Sequence, residues 1–170
     1  MDSKFQILQG AETNILNNGL VDINDKALEK LDYVIAGIHS SFKMPRKEMT
    51  ERIIKTMKNS HIDIISHPTG RLIKRREEYQ IDLDRILRAA KQFNVVLEIN
   101  SWPTRLDLSD RNIKRAKLAG VKMIINTDSH HKDHLGHMAL GVAQARRGWA
   151  EKKDIINTKT LGKLLNYFNK

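Results

Sequence analysis

Five short apolar stretches of this 170-residue sequence run into residues that can bind a metal. QGAE ends in Glu12, VIAGIHS carries His39, IDIISHP carries His67, VVLEIN carries Glu98, and KMIINTDSH carries Asp128 and His130. Parallel α/β folds present the carboxyl ends of all their strands on one face, where side chains remote in sequence converge. Metal-assisted hydrolysis needs neutral imidazoles and ionised carboxylates aimed at a common point, with a coordination position left open for water. Glu12, His39, His67, Asp128 and His130 are therefore the candidate metal ligands and catalytic residues. A carboxylate such as Glu12 can bridge two ions about 3.5–4 Å apart, the spacing that clamps the attacking and leaving oxygens of a phosphoryl group, so a phosphoester is the natural substrate. A strand-end histidine taken alone is more often a hydrogen-bonded structural group, and Glu12 alone could cap a turn. Recurrence at the same position of successive units favours the metal reading.

The segment DSHHKDHLGH holds four of the seven histidines, but Asp128 and His130 alone form the D-x-H pair whose side chains leave a strand end on one side. His131, His134 and His137 fall in a polar loop and a first helical turn, where exposure is expected. His61 precedes a strand, away from the catalytic face, and reads as structural. Arginine supplies planar bidentate donors for phosphate oxygens. Arg71 follows His67 in HPTGRLIKRREEY, with Lys74, Arg75 and Arg76 close behind, and Arg105 follows Glu98 in SWPTRLDL. Arg71 and Arg105 are the candidate substrate-binding residues, with salt bridges to Glu77, Glu78 or Asp107 as the structural alternative. Trp102 could stack on a base or pack beneath its loop.

The elements that must position these side chains alternate. Val- and Ile-rich runs predict strands near residues 5–11, 33–38, 62–66, 95–99 and 122–126. Three-to-four spacing predicts helices over 25–31, 46–58, 82–93, 110–119, 137–147 and 158–168. That alternation is the signature of βα units on a parallel sheet. In the helix at 46–58, Met49, Ile53, Ile54 and Met57 form one stripe, opposite Arg52, Lys55 and Lys58. Gly120 stands where a left-handed residue would close the fourth helix. Five strands are too few for the usual eight-stranded α/β barrel, so a barrel of this kind would be incomplete.

The 40% hydrophobic content supports a core, and the length suits a single domain. The sequence has no apolar run of about 20 residues and no apolar leader, which predicts a cytoplasmic protein without a membrane partner. It also has no cysteine, which removes disulfides and thiolate sites and leaves hard or borderline divalent ions as the candidates. A net charge of +10 favours a polyanionic partner such as nucleic acid, although solvated helix faces account for much of the excess.

Taken together, ETNILNNGLVD, VIAGIHSSF, MTERI, HPTGRLIKRR, LEIN, RLDL, NTDSH and GVAQARRGW resemble the C-terminal polymerase and histidinol phosphatase (PHP) domain of bacterial and archaeal family X DNA polymerases. The resemblance covers nearly the whole chain. It implies a distorted, TIM-like (β/α)7 barrel that binds up to three divalent ions, Mn2+ or Zn2+. It also implies 3′–5′ exonuclease or related phosphoesterase action on DNA 3′ ends. Carried over motif by motif, it makes Glu12 a bridging carboxylate, His39 and His67 ligands, and Asp128 with His130 the closing pair, with Ser129 where the family commonly has alanine. Glu98 and Asn100 match the family's E-I-N segment and are expected to support ligands rather than bind ions. A complete family domain opens with H-x-H and T-D-H motifs, which this sequence lacks. The expectation is therefore a C-terminal portion of the domain over residues 1–170, with the missing segment and a polymerase domain as possible partners. The alternatives are a non-catalytic basic DNA-binding or scaffold fragment and a small-molecule phosphatase akin to histidinol-phosphate phosphatase.

Overall fold

The computed structural model describes residues 6–168. Among them, five strands form one sheet: β1 (Gly10–Asn14), β2 (Tyr33–Gly37), β3 (Ile64–Ile65), β4 (Val96–Asn100) and β5 (Met123–Asn126). They are all parallel and lie in the order β1-β2-β3-β4-β5. Helices α1 (Asp25–Leu28), α2 (Arg46–Met57), α3 (Leu83–Gln92), α4 (Asp110–Ala119), α5 (Met138–Arg147) and α6 (Leu161–Tyr167) flank the sheet. No strand order reverses, so the winding is that of a partial TIM-like barrel and not of a doubly wound sheet.

Local chemistry sets the helix ends. The side chains of Asn24, Asp82 and Ser109 accept bonds from the free N–H groups of Ala27, Arg85 and Asn112. Gly120 closes α4 at φ 75°, in the left-handed region expected from the sequence. Helices α2 to α4 bury Met49, Ile53, Met57, Ile86, Leu87, Ile113 and Ala116 in one cluster with Val34, Ala36, Leu97, Ile99, Met123 and Ile125 of the strands. Each of the buried Val, Leu, Ile and Met side chains contributes about 1.5–3 kcal/mol.

The other face of the sheet carries a smaller cluster. Ile64, Val96 and Ile124 pack there with Ile156 and Phe168, flanked by Tyr33, Ile35 and Leu164. The Tyr33 and Phe168 rings stack with centroids 6.1 Å apart. The edge of β5 is closed by a side chain, because Asn157 Nδ2 donates to the Ile125 carbonyl at 2.8 Å and Asn157 Oδ1 accepts from Ile125 N–H at 3.3 Å. Strand β1 pairs with β2 alone among the described residues.

Two sequence expectations need correction. The first strand begins at Gly10 and not within the apolar stretch FQIL, of which Phe5 lies outside the described residues; Ile7 is 82% exposed. An edge strand is held by pairing with its neighbour, and β1 does this with a mostly polar pentapeptide that places Glu12 mid-strand. Arg52, assigned to the solvent face of α2, is buried at 2% exposure. It donates to the carbonyls of Leu16 (2.9 Å), Ser40 (3.1 Å) and Ile15, and so pins the loop after β1 to the helix. Those carbonyls have no strand to bond, and a long guanidinium reaches all three.

Candidate metal centre

Register sets which side chains meet. Glu12 pairs with Ile35 and Ile35 with Ile64, so alternation puts Glu12, Asn14, Ile64 and Ser66 on the face away from helices α2 to α4. His39 lies two residues beyond Gly37, the last residue of β2, on the same face. His67 would alternate to the opposite face, but its φ of 29° turns the chain back toward the strand ends. Asp128, two residues beyond β5, also has a positive φ, 53°.

Glu12, His39 and His67 come together, each offering a ligand atom within 4.8 Å of the others. Glu12 Oε1 lies 3.4 Å from His39 Nε2 and 3.2 Å from His67 Nε2, and accepts a 2.6 Å bond from Ser66 Oγ. Bonds from His39 and His67 hold the Glu12 carboxyl far below the usual carboxylate range, against burial, which acts to raise it. His39 and Glu12 are open to solvent, whereas His67 is 2% exposed and donates its backbone N–H to Glu98 Oε2 at 2.7 Å.

Glu98 is buried, and burial pushes its carboxyl upward. It accepts bonds from Asn126 Nδ2 (2.9 Å) and from Asn100 Nδ2 (3.1 Å), whose other contact is Asp128 Oδ2 at 3.2 Å. Glu98 and Asn100 thus link the backbone of His67 to Asp128. Asp128 shares with Glu12 the lining of a cavity of about 470 Å3 that runs over Asn100 and Asn126 to an apolar end at Tyr33, Ile35, Ile64, Leu164 and Phe168. The group of three does not include Asp128 or His130. The His130 side chain is 77% exposed, with Nδ1 2.8 Å from the Asp128 carbonyl oxygen.

The two candidate arginines differ. Arg105 Nε sits 3.7 Å from Asp128 Oδ2, at the edge of the site. Arg71 instead donates to the carbonyls of Arg105 (2.9 Å) and Leu106, holding the loop after β4. Buried Asp107 fastens that loop to the one after His67, accepting from Thr69 N (3.0 Å), Thr69 Oγ1 (2.8 Å) and Gly70 N (2.7 Å). Trp102 is half-buried, edge-on to the rings of His134 and His137 at 4.7 and 5.1 Å. His131 is exposed as expected, while His134 and His137 are half-buried by this contact. His61 lies 3.9 Å from Glu29, among surface residues.

Several residues of the site escaped the sequence reading. His39 Nδ1 is 2.7 Å from Asn14 Oδ1, and Asn14 Nδ2 donates to Asp22 Oδ2 at 2.5 Å. Bonds from Thr13 and Asn14 lower the Asp22 carboxyl. The two-residue period from Glu12 could have found Asn14, and a glycine inside a strand could have flagged Gly37. Asp22 carries no such signal, because a loop brings it back to β1.

The residues present fit a divalent cation. Two imidazoles and one ionised carboxylate form a borderline-hard donor set with positions left open. Among the described residues, His67 Nδ1 is buried without a hydrogen-bond partner. A Cβ built on Gly37 would meet Ser66 Oγ at 2.5 Å, Glu12 Oε1 at 2.7 Å and His39 Cε1 at 2.8 Å, so the cluster occupies space that only glycine leaves free.

The chain is 45% identical over 157 residues to the DNA polymerase/3′-5′ exonuclease PolX of Bacillus subtilis, covering 92% of this chain and 28% of that protein. It is 31% identical over 172 residues to a probable phosphatase of Thermoanaerobacter sp. (strain X514), covering 95% of this chain and 67% of that protein. A probable phosphatase of Clostridium acetobutylicum is 35% identical over 140 residues, covering 77% of this chain and 55% of that protein. The chain thus spans about a quarter of the first relative and about two thirds of the second. No family model matches. Among the described residues, no helix is long and apolar enough to cross a membrane.

Proposed function

The chain belongs to the PHP-like family of these probable phosphatases and of PolX, and from that membership we propose that it is a metal-dependent phosphoesterase module acting on the 3′ ends of DNA. The observation that carries this reading is the meeting of Glu12, from the middle of β1, with His39 and His67, from just beyond β2 and β3. Glu12, His39 and His67 hold a divalent cation, Mn2+ or Zn2+, and Asp128 with His130 extends the set along the shared cavity. When bound there, a divalent ion supplies Lewis-acid polarisation of a phosphoryl oxygen. Arg105 orients the phosphate beside Asp128, and Glu98 and Asn100 keep His67 and Asp128 in place. Arg71 acts by holding the Arg105 loop, because its guanidinium is engaged by two carbonyls. The module works with a polymerase domain or with a further segment of a PHP barrel.

Incubation with 3′-recessed DNA and Mn2+ should release nucleotides from the 3′ end, and His39→Ala should abolish the release. Absence of cleavage with both Mn2+ and Zn2+, with a PHP N-terminal segment supplied as a second chain, rejects the reading. A second reading, a small-molecule phosphatase, is favoured by the cavity of about 470 Å3 with an apolar end, large enough for a compact phosphate monoester. Competition between p-nitrophenyl phosphate and DNA separates the two. Monoester turnover that DNA fails to inhibit supports the small-molecule reading. A third possibility, a scaffold that binds DNA without chemistry, predicts DNA affinity that falls steeply with salt and does not change in His39→Ala.

A further inference from the structure

We propose that Asp22 is a positioning residue for the metal site: acting through the Asn14 amide, it fixes the tautomer of His39 and so keeps Nε2 available to a cation beside Glu12. The inference rests on the metal-site reading above. It starts from the direction of one amide. Asn14 Nδ2 lies 2.5 Å from Asp22 Oδ2, and a carboxylate can only accept, so the amino group of Asn14 must face Asp22. The carbonyl oxygen of Asn14 then faces His39, 2.7 Å from Nδ1. An amide oxygen is also only an acceptor, so Nδ1 carries the hydrogen. A neutral imidazole has one N–H, which leaves the lone pair on Nε2, the atom 3.4 Å from Glu12 Oε1. The chain from Asp22 to Nδ1 thus has one self-consistent arrangement of donors and acceptors, and a cation at Nε2 takes the place of the bond that His39 otherwise makes to the Glu12 carboxylate.

Asp22 is held for this task. Its Oδ1 accepts from Thr13 Oγ1 at 2.6 Å and from Asn14 N–H at 2.9 Å, so one oxygen anchors the carboxylate and the other is left to meet the amide. Its backbone N–H donates to the Asn14 carbonyl at 3.2 Å. The loop between them folds back through an antiparallel Ile15–Val21 bridge and the positive φ of Gly19, 76°. Arg52 holds the loop at the Ile15 and Leu16 carbonyls, and Thr56 Oγ1 donates to the Gly19 carbonyl at 3.0 Å. A histidine that binds a metal through one nitrogen commonly donates its other N–H to a polar partner that sets ring orientation, and loss of such a partner weakens metal affinity about 10–100-fold.

The test uses the intact chain labelled with 15N-histidine, read without metal at a pH where the rings are neutral, together with Zn2+ affinity by calorimetry. In the wild-type chain His39 should give the ring shifts of the Nδ1–H tautomer. Asp22→Ala should give a mixture of tautomers and bind Zn2+ about 10–100-fold more weakly. The exchange Asn14→Asp with Asp22→Asn keeps an acceptor facing His39 and should restore both readouts. If Asp22→Ala does not fold, Asn14→Leu, which removes the acceptor directly, serves in its place. A purely structural role for Asp22 would lower the melting temperature and leave the tautomer unchanged, and that result overturns the proposal. Zn2+ affinity within twofold of wild type in Asp22→Ala overturns the positioning role while leaving the metal site standing. A wild-type chain that binds neither Zn2+ nor Mn2+ overturns the metal site and this proposal together.

Discussion

Replacing Gly37 with alanine should weaken metal binding without unfolding the chain. The added methyl would lie 2.5–2.8 Å from Ser66 Oγ, Glu12 Oε1 and His39 Cε1, short of ordinary contact by about 0.6–0.9 Å. Overpacking of this size costs about 1–3 kcal/mol. The strain must fall on the groups that can yield. Ser66 is 2% exposed and walled in, whereas the side chains of His39 and Glu12 are 39% and 37% exposed and can swing outward. The ligands therefore move and the core does not. Gly37 has no positive φ, so the backbone accepts alanine. If most of the strain appears as lost ligand geometry, Zn2+ affinity measured by calorimetry should fall about 10–100-fold, the equivalent of about 1.4–2.8 kcal/mol. The cooperative melt should persist. Gly136→Ala, which meets nothing within 4 Å among the described residues, is the control and should match wild type. Wild-type Zn2+ affinity in Gly37→Ala would refute the argument, because the three atoms could not then form the site in the arrangement described.

Other outcomes follow from the same geometry. Zn2+ at about a hundred times its dissociation constant should stabilise the chain by about 2.7 kcal/mol, seen as a rise in melting temperature of roughly 5–10 °C. His39→Ala should lose that rise and His61→Ala should keep it. Arg52→Met should lower stability by about 3 kcal/mol in denaturant titration, because the carbonyls of Ile15, Leu16 and Ser40 lose a charged donor. Burial pushes the Tyr79 phenol up to about 12, while in the unfolded chain it ionises near its ordinary value of about 10. Its stabilising contribution is therefore whole below pH 10 and declines as pH rises toward 12, by on the order of 2 kcal/mol. Tyr79→Phe should remove that part of the alkaline slope, and absorbance titration of the phenols should show the late-ionising group disappear.

The parallel sheet and its helices were legible because burial on both faces makes strands β2 to β5 read as apolar runs, and because α2 to α5 carry clear helical spacing. Helix α4 matches its expected range of 110–119. Strand β1 was misplaced because an edge strand with one buried face needs few apolar residues, and GAETN contains a single alanine. Arg52 was misassigned because its side-chain type predicts solvent, while the demand of three carbonyls lies in a loop distant in sequence. At the site, His39 and His67 could be named because each follows a strand end, whereas Glu12, expected at a strand end, meets them from the middle of β1. The link from Asp128 to His67 through Asn100 and Glu98, and the engagement of Arg71 by carbonyls, depend on loop paths that no local pattern encodes.

His67 stands in the site because its backbone adopts a conformation that a side chain with a Cβ disfavours, with φ at 29°. Local preference and chemistry therefore oppose each other at this position. Glycine there would relax the peptide and delete the imidazole, so selection for thermal robustness alone would drift away from the ligand, and selection for cation affinity would restore it. Evolving the chain under each pressure separately should expose that antagonism first at residue 67.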